Sequence, residues 1–286
     1  LYDHADFIHA VPQAGFCGLL WTPEVREAAN PAELVRRLQA VIFSPVAMIN
    51  AWYLKNPPWM QVNRDANNAG QFSPDAQQVE AQCRAMLELR MQFIPYLHAA
   101  FVRYHREGIP PFRALVMDYP ADAAAREVDD EYIMGDSVLV APIAAPSARP
   151  ARKEPAPEIQ TAASRLVYLP EGDWQDFWTG QHFPGRQKIS VPVAPDRIAL
   201  FVKSGTILPL AHPTLTTADA DSWKLTALVF GQGDRPVTLF EDDGSFNPAL
   251  PEVRLEWDPA KSAGKLTRTG AVQKDVYTVT EWKTRP

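Results

Sequence analysis

Four polar side chains crowd the start of the chain: Asp3, His4, Asp6 and His9. Imidazoles and carboxylates so close together can hydrogen-bond a hydroxylated ligand, and both residue types also ligate metals. Placed on a barrel strand they would form a binding edge, because barrel sites collect at the C-terminal ends of the strands. On a solvated loop they would be ordinary polar residues. His4-Ala5-Asp6 lacks a third ligand at a recognisable spacing, so no metal site is assigned. A second group lies further on. Asn50 interrupts an apolar run, as a site residue or as a satisfied core amide, and Trp21, Trp52 and Trp59 fall in segments expected to be loops or strand ends. A flat indole there suits either stacking on a sugar ring or packing under a loop.

Other acidic clusters read more simply. Glu241-Asp242-Asp243-Gly244 could pass for a calcium loop, but a β-hairpin with Asp-Gly at its tip explains it with fewer assumptions. Asp129-Asp130-Glu131 reads as a solvated turn. The chain has no GxSxG, P-loop, HExxH or dinucleotide-binding glycine motif.

Composition narrows the partners. The 28 basic and 34 acidic residues give a net charge of −6 with no basic stripe, so nucleic acid is not an expected partner. No apolar run reaches the length of a membrane span, so no membrane is expected either. Cys17 and Cys83 do not make a disulfide framework. The chain opens on Leu1 without an initiator Met, which reads as other than a native N-terminus.

Two kinds of architecture must position these residues. Residues 1–110 read as α/β. Asn30-Pro31-Ala32-Glu33 is a helix start, with Leu34, Val35, Leu38, Val41 and Ile42 behind it at helical spacing. Pro45 should stop that helix, and Val46–Tyr53 should form a strand. A Pro- and Asn-rich loop runs from Lys55 to Gln71. Ser73-Pro74 then opens one long helix, kinked at Pro95 and ended by Gly108. After Pro110 come short apolar segments divided by turns: 137–143, 164–169, 188–193, 198–202, 225–230, 237–240 and 276–281, the pattern of β-sandwiches. Ala144–Ala163 reads as a long exposed loop. Two parallel strands leave most of a sheet's faces uncovered, so the first part looks like an incomplete domain lacking preceding βα units.

Several motifs occur in a recognisable order. They are Phe43-Ser44-Pro45, Asn56-Pro57-Pro58-Trp59, Arg90–Tyr96, Pro111–Leu115, Tyr119-Pro120, Met134-Gly135-Asp136, Val138–Pro142, Val167–Pro170, Gly172-Asp173-Trp174, Asp176–Gly180, Phe201–Leu210 and Leu239–Gly244. Taken together this order resembles the C-terminal part of glycoside hydrolase family 31, the α-glucosidase and α-xylosidase family. The resemblance implies α/β plus all-β architecture: the last βα units of a (β/α)8 barrel in residues 1–110, a connector and proximal β-sandwich in 111–215, and a distal β-sandwich in 216–286.

It also implies a retaining mechanism, with one Asp as nucleophile and another as general acid/base on earlier barrel strands. Neither motif occurs in this sequence. No catalytic residue is therefore assigned here, the isolated chain is expected to be inactive, and a missing N-terminal barrel segment is its expected partner. An oligosaccharide or glycoside is the expected substrate, without metal or organic cofactor. The family pattern after Phe-Ser-Pro places an Arg at the position of Met48 and a sugar-binding His at that of Asn50. Its His-Asp-Ile-Gly-Gly-Phe motif survives clearly only as Gly15-Phe16, with Pro12 at the Asp position. Trp21-Thr22-Pro23-Glu24 resembles the family's entry to the next helix. The substrate-binding candidates are His4, Asp6, Asn50 and Trp52. The competing reading is a non-catalytic carbohydrate-binding or structural module.

Overall fold

The computed structural model describes residues 4–20, 24–25, 28, 30–50, 52, 54–143, 164–192, 194, 196–219, 223–242, 250–270 and 275–285. Asp3, Trp21, Asp243, Gly244 and the 144–163 segment fall outside them. The chain begins with helix α1 (His4–Phe16), followed by β1 (Glu24–Val25), α2 (Pro31–Ile42), β2 (Met48–Ile49), α3 (Arg64–Asn68), α4 (Ala76–Gln92) and α5 (Ile94–Glu107). Next come β3 (Phe112–Ala114), α6 (Leu115–Asp118), β4 (Tyr132–Met134), β5 (Val138–Ala141), β6 (Ser164–Leu169), β7 (Asp173–Asp176), β8 (His182–Pro184), β9 (Gln187–Pro192) and β10 (Ala199–Lys203). The last part holds β11 (Ile207–Ala211), β12 (Trp223–Phe230), β13 (Val237–Phe240), β14 (Glu252–Asp258), β15 (Ala263–Thr269) and β16 (Tyr277–Arg285).

Local chemistry explains the helical part. Asn30 caps α2, its side chain accepting from the Glu33 N–H at 2.9 Å, with Pro31 in the first turn. The expected single helix from Ser73 to Glu107 is instead two, α4 and α5, divided at Phe93. Pro95 has no N–H to continue the ladder, and its ring collides with the carbonyl one turn back. Gly108 ends α5 in the left-handed conformation at φ 73°.

The first residues are a further correction. They form helix α1 rather than a barrel strand, because His4, Phe7, Ile8, Val11, Pro12 and Gly15 recur every three or four residues and are all buried. The helix presses on β3 so closely that a Cβ on Gly15 would meet the Phe112 carbonyl oxygen at 2.7 Å. The Val46–Tyr53 strand shrinks to Met48–Ile49, which pairs in parallel with β1 through Glu24↔Met48 and Val25↔Ile49. Among the described residues this two-stranded sheet is the whole of the sheet structure before β3, and no closed barrel forms.

β3, β4, β5, β10, β7 and β8 form a six-stranded sheet in that order, every pair antiparallel. Alternate residues serve two cores. Ile133, Leu139, Ala141 and Phe201 face one way, into a cluster with Val167, Leu169 and Trp174 from the β6–β9 hairpin layer and β7. Tyr132, Met134, Val138, Val140, Leu200 and Val202 join the helices' Phe93, Tyr96 and Leu97. Beyond this sheet, β11-β12-β16 and β13-β14-β15 share a third core around Leu225, Ala227, Leu239, Val253 and Leu255. Helix α5 contributes Ala99 and Val102 to that core and Tyr96 and Leu97 to the core that the helices share with the six-stranded sheet, so it joins the two.

Two acidic clusters depart from their sequence reading. Glu131, expected on a solvated turn, is 2% exposed, and its carboxylate accepts from the Tyr168 N–H at 3.0 Å. Burial pushes its pKa up to about 8 against the pull of Arg165. The folded chain therefore keeps a proton that the unfolded chain releases near pH 4.5. Stability attributable to this group falls as pH rises through that window and levels off above about 8. Glu131→Gln cannot titrate, so the variant's unfolding midpoint should gain on the wild type's from pH 5 upward. The gain should amount to roughly 3–5 kcal/mol once both curves are flat. Parallel thermal melts across pH check this; a constant offset between the two curves would contradict it.

Glu241, read as part of a hairpin turn, is also buried. Its Oε1 accepts from the N–H groups of Val276 and Tyr277, and Arg268 donates to the same carboxylate. β13 and β14 do pair as an antiparallel hairpin, while the Asp-Gly tip lies outside the described residues.

Candidate functional site at the end of the parallel strands

The site begins with how the chain turns after α2. Phe43-Ser44-Pro45 leaves the helix with carbonyls that have no helical partner. Arg90, on α4, supplies them: its Nη1 donates to the carbonyls of Ile42 and Ser44 at 2.8 and 2.7 Å, and its Nη2 to that of Pro45 at 3.0 Å. Tyr132 Oη donates to the Phe43 carbonyl at 2.7 Å, and Ser44 Oγ to that of Val41 at 2.7 Å. Burial brings the Arg90 guanidinium down to about 10, still charged at neutral pH. This clamp fixes the direction in which β2 starts.

Asn50 follows β2 directly. Its N–H continues the parallel ladder to the Val25 carbonyl at 2.7 Å. Its Nδ2 donates to Glu24 Oε2 at 2.9 Å, and its Oδ1 accepts from the Trp52 N–H at 3.0 Å. Both ends of the amide are thus engaged, which fixes its orientation. Trp52 is left 85% exposed. Its backbone is thus tied down just past the C-terminal end of a parallel strand, and its indole stands open to a flat ligand.

A second loop borders this part. Residues 55–71, expected to be an irregular loop, wind around Asn67 on α3. That fully buried amide accepts from the Asn56 N–H at 3.0 Å and donates to the carbonyls of Asn56 and Gln61, both at 3.1 Å. Trp59 packs against the core that the helices share with the six-stranded sheet, so it is a loop-core residue rather than an open platform.

The four sequence candidates separate into two pairs. Asn50 and Trp52 are joined by a hydrogen bond, together with Glu24. His4 and Asp6 lie on α1, which packs on β3 instead. His4 is 1% exposed and its ring sits 5.9 Å from that of Phe7, while Asp6 points to the surface. His4 thereby takes a place in the core stripe of α1, and Asp6 lies on the outer side of that helix. Sequence reasoning did not single out Arg90 or Glu24 as site-building residues. Arg90 had a readable signal, since it continues the buried series Val79, Cys83, Met86 at helical spacing. No group of three metal-ligating side chains occurs among the described residues.

Against this geometry the similarities to known proteins can be read. Residues 108–208 match the model described as the glycosyl hydrolase family 31 C-terminal domain. Residues 108–208 are a family 31 C-terminal domain. The matched segment runs from the end of α5 to β11, covering the six-stranded sheet and its β6–β9 layer. The chain is 29% identical over 212 residues to an α-xylosidase of Saccharolobus solfataricus, covering 73% of this chain and 25% of that protein. It is 29% identical to α-glucosidase 2 of Bacillus thermoamyloliquefaciens over 159 residues, 55% of this chain and 18% of the relative. The fold of a family 31 α-xylosidase from Xanthomonas citri superimposes with a TM-score of 0.67 at 24% identity, over 90% of this chain and 26% of that one. A Flavobacterium johnsoniae family 31 dextranase complexed with isomaltotriose gives 0.61 at 25% identity, over 79% of this chain and 25% of that one. This chain thus spans about a quarter or less of these relatives' own length.

Proposed function

We propose that this family 31 chain is the C-terminal portion of a retaining α-glycosidase acting on α-linked glucosyl-type oligosaccharides or glycosides. In this reading residues 1–110 supply the last βα units of a (β/α)8 barrel, 111–215 a connector and proximal sandwich, and 216–286 a distal sandwich. Two aspartates about 5 Å apart, on barrel strands preceding Leu1, would attack the anomeric carbon and protonate the leaving oxygen. This chain's own residues do the binding. The observation that carries the reading is the Glu24–Asn50–Trp52 arrangement, in which a doubly anchored amide ties down the Trp52 backbone and leaves its indole open just past the C-terminal end of β2. The likeness to an α-xylosidase and an α-glucosidase supports it.

In this arrangement Trp52 stacks on a sugar ring, and Asn50 sets the position of Trp52. Glu24 keeps the amide from turning over. His4 and Asp6 belong to the same proposal only through their place early in the chain, and the weight falls on Asn50 and Trp52. Asn50→Ala in the whole polypeptide should lower kcat/KM on its α-glycoside substrate by about 10- to 100-fold, as expected for a lost polar contact worth 1–3 kcal/mol.

A further inference from the structure

A crevice of about 380 Å³ opens far along the chain from Asn50, where α5, the β4–β5 turn, the start of β11 and the lead into β13 meet. Three carboxylates line it, and all are engaged: Asp136 and Glu107 by Arg103, and Glu252 by Arg106. Arg235 lines it too, and its guanidinium has neither a hydrogen bond nor an ion pair among the described residues. Thr206, another lining residue, is 4% exposed, and its hydroxyl is buried without a partner. A buried hydroxyl left unpaired is costly, and an ordered water or ion is one way in which native folds satisfy it.

These two residues are held side by side. Thr206 and Arg235 form a parallel β-bridge, and the Arg235 N–H donates to the Gly205 carbonyl at 2.8 Å. Beside the crevice stands Lys203 at the end of β10. Its Nζ lies 5.4 Å from the Tyr119 ring centre and 5.9 Å from that of Trp174, with no acceptor among the described residues. Burial holds Lys203 below the usual lysine range; Arg113 and Arg235 push the same way, against the pull of Asp118 and Asp136. Asp234 is the opposing charge on the loop. Its carboxylate occupies the space over Gly205 where a side chain would otherwise stand.

We propose that this crevice binds a small oxyanion of the phosphate class, with Arg235 as the charged donor, Thr206 as the buried hydroxyl donor and Lys203 supplying long-range attraction. The site is independent of the glycosidase reading. It joins α5 to the sheets on either side of the β10–β11 step, so its occupation should tie these elements together. Asp234, next to Arg235, opposes the anion and weakens its binding.

The test is a titration of the whole polypeptide with inorganic phosphate at constant ionic strength, balanced with chloride and read as the unfolding midpoint. The midpoint should rise saturably. Arg235→Gln, a change at an exposed position, should weaken the response about tenfold, and Thr206→Val should weaken it several-fold while keeping the side-chain shape. A saturable response to acetate in place of phosphate, equally dependent on Arg235, supports the site and makes carboxylates its ligand. Equal responses from wild type and Arg235→Gln, or no saturable response to either anion, would overturn the proposal.

Discussion

Arg90→Met is expected to unfold the chain about 6–12 °C below the wild type and to lower glycosidase activity of the whole polypeptide even at temperatures where it stays folded. The side chains are similar in length, so the change removes the guanidinium with little loss of packing. It leaves the carbonyls of Ile42, Ser44 and Pro45 without their donor. An unpaired buried carbonyl costs about 1–3 kcal/mol, and relief from burying a charge offsets part of the total, so the net loss should be about 3 kcal/mol. Activity follows because the clamped turn sets where β2 begins, and β2 sets Asn50 and Trp52. Arg90→Lys separates the two effects. A lysine keeps the charge but does not span three carbonyls in one plane, so the variant should recover part of the stability and little of the activity. Thermal melts and kcat/KM on the same samples check both. Wild-type activity in a destabilised Arg90→Met variant would remove the turn from the site.

Gly135→Ala should be of similar size for a different reason. Gly135 turns between β4 and β5 at φ 59°, a conformation that costs an L-residue roughly 1–2 kcal/mol. A Cβ there would also fall 2.6 Å from Tyr96 Cζ and Oη. Tyr96 has little room to retreat. Its hydroxyl donates to the Met134 carbonyl at 2.8 Å and accepts from the N–H groups of Asp136 and Ser137, both at 2.9 Å. Strain and overpacking together should cost about 3 kcal/mol or more, again a fall of about 6–12 °C in the unfolding midpoint. The double variant Gly135→Ala/Tyr96→Phe tests the cause. Without the hydroxyl the ring can shift, so the added cost of the alanine should shrink; an unchanged cost would place the effect in the backbone alone.

The sequence made the fold legible wherever a segment carried its own signal. Asn30-Pro31 named a helix start, and the apolar runs of β5, β6, β9, β12 and β13 named strands. β14 was readable in the same way, since Val253 and Leu255 alternate with outward Arg254, though it was not recognised. β15 was not readable. Its sequence, AGKLTRT, brings a single large apolar residue, Leu266, and it forms by pairing with β14 along its whole length. At the start of the chain Asp6 and His9 interrupt the apolar stripe of α1, which shows only at the helical period, through His4, Phe7, Ile8, Val11, Pro12 and Gly15. Part of the site had no local signal. The Asn50–Glu24 bond joins residues 26 apart and exists only because β1 and β2 pair in parallel. Trp59 packs against the core in a loop wound around Asn67, a buried amide whose partners Asn56 and Gln61 lie 11 and 6 residues away in a segment that reads as irregular.

The most direct test of the glycosidase reading is kcat/KM of the whole polypeptide and its Asn50→Ala variant on aryl α-glucoside and aryl α-xyloside. The account predicts hydrolysis of at least one of the two by the wild type, with a 10- to 100-fold loss in the variant and unchanged thermal stability to within about 1 kcal/mol. Hydrolysis at equal rates by both proteins would contradict the place given to Asn50. Binding of α-linked oligosaccharide without turnover of either substrate would contradict the glycosidase reading and leave a carbohydrate-binding module.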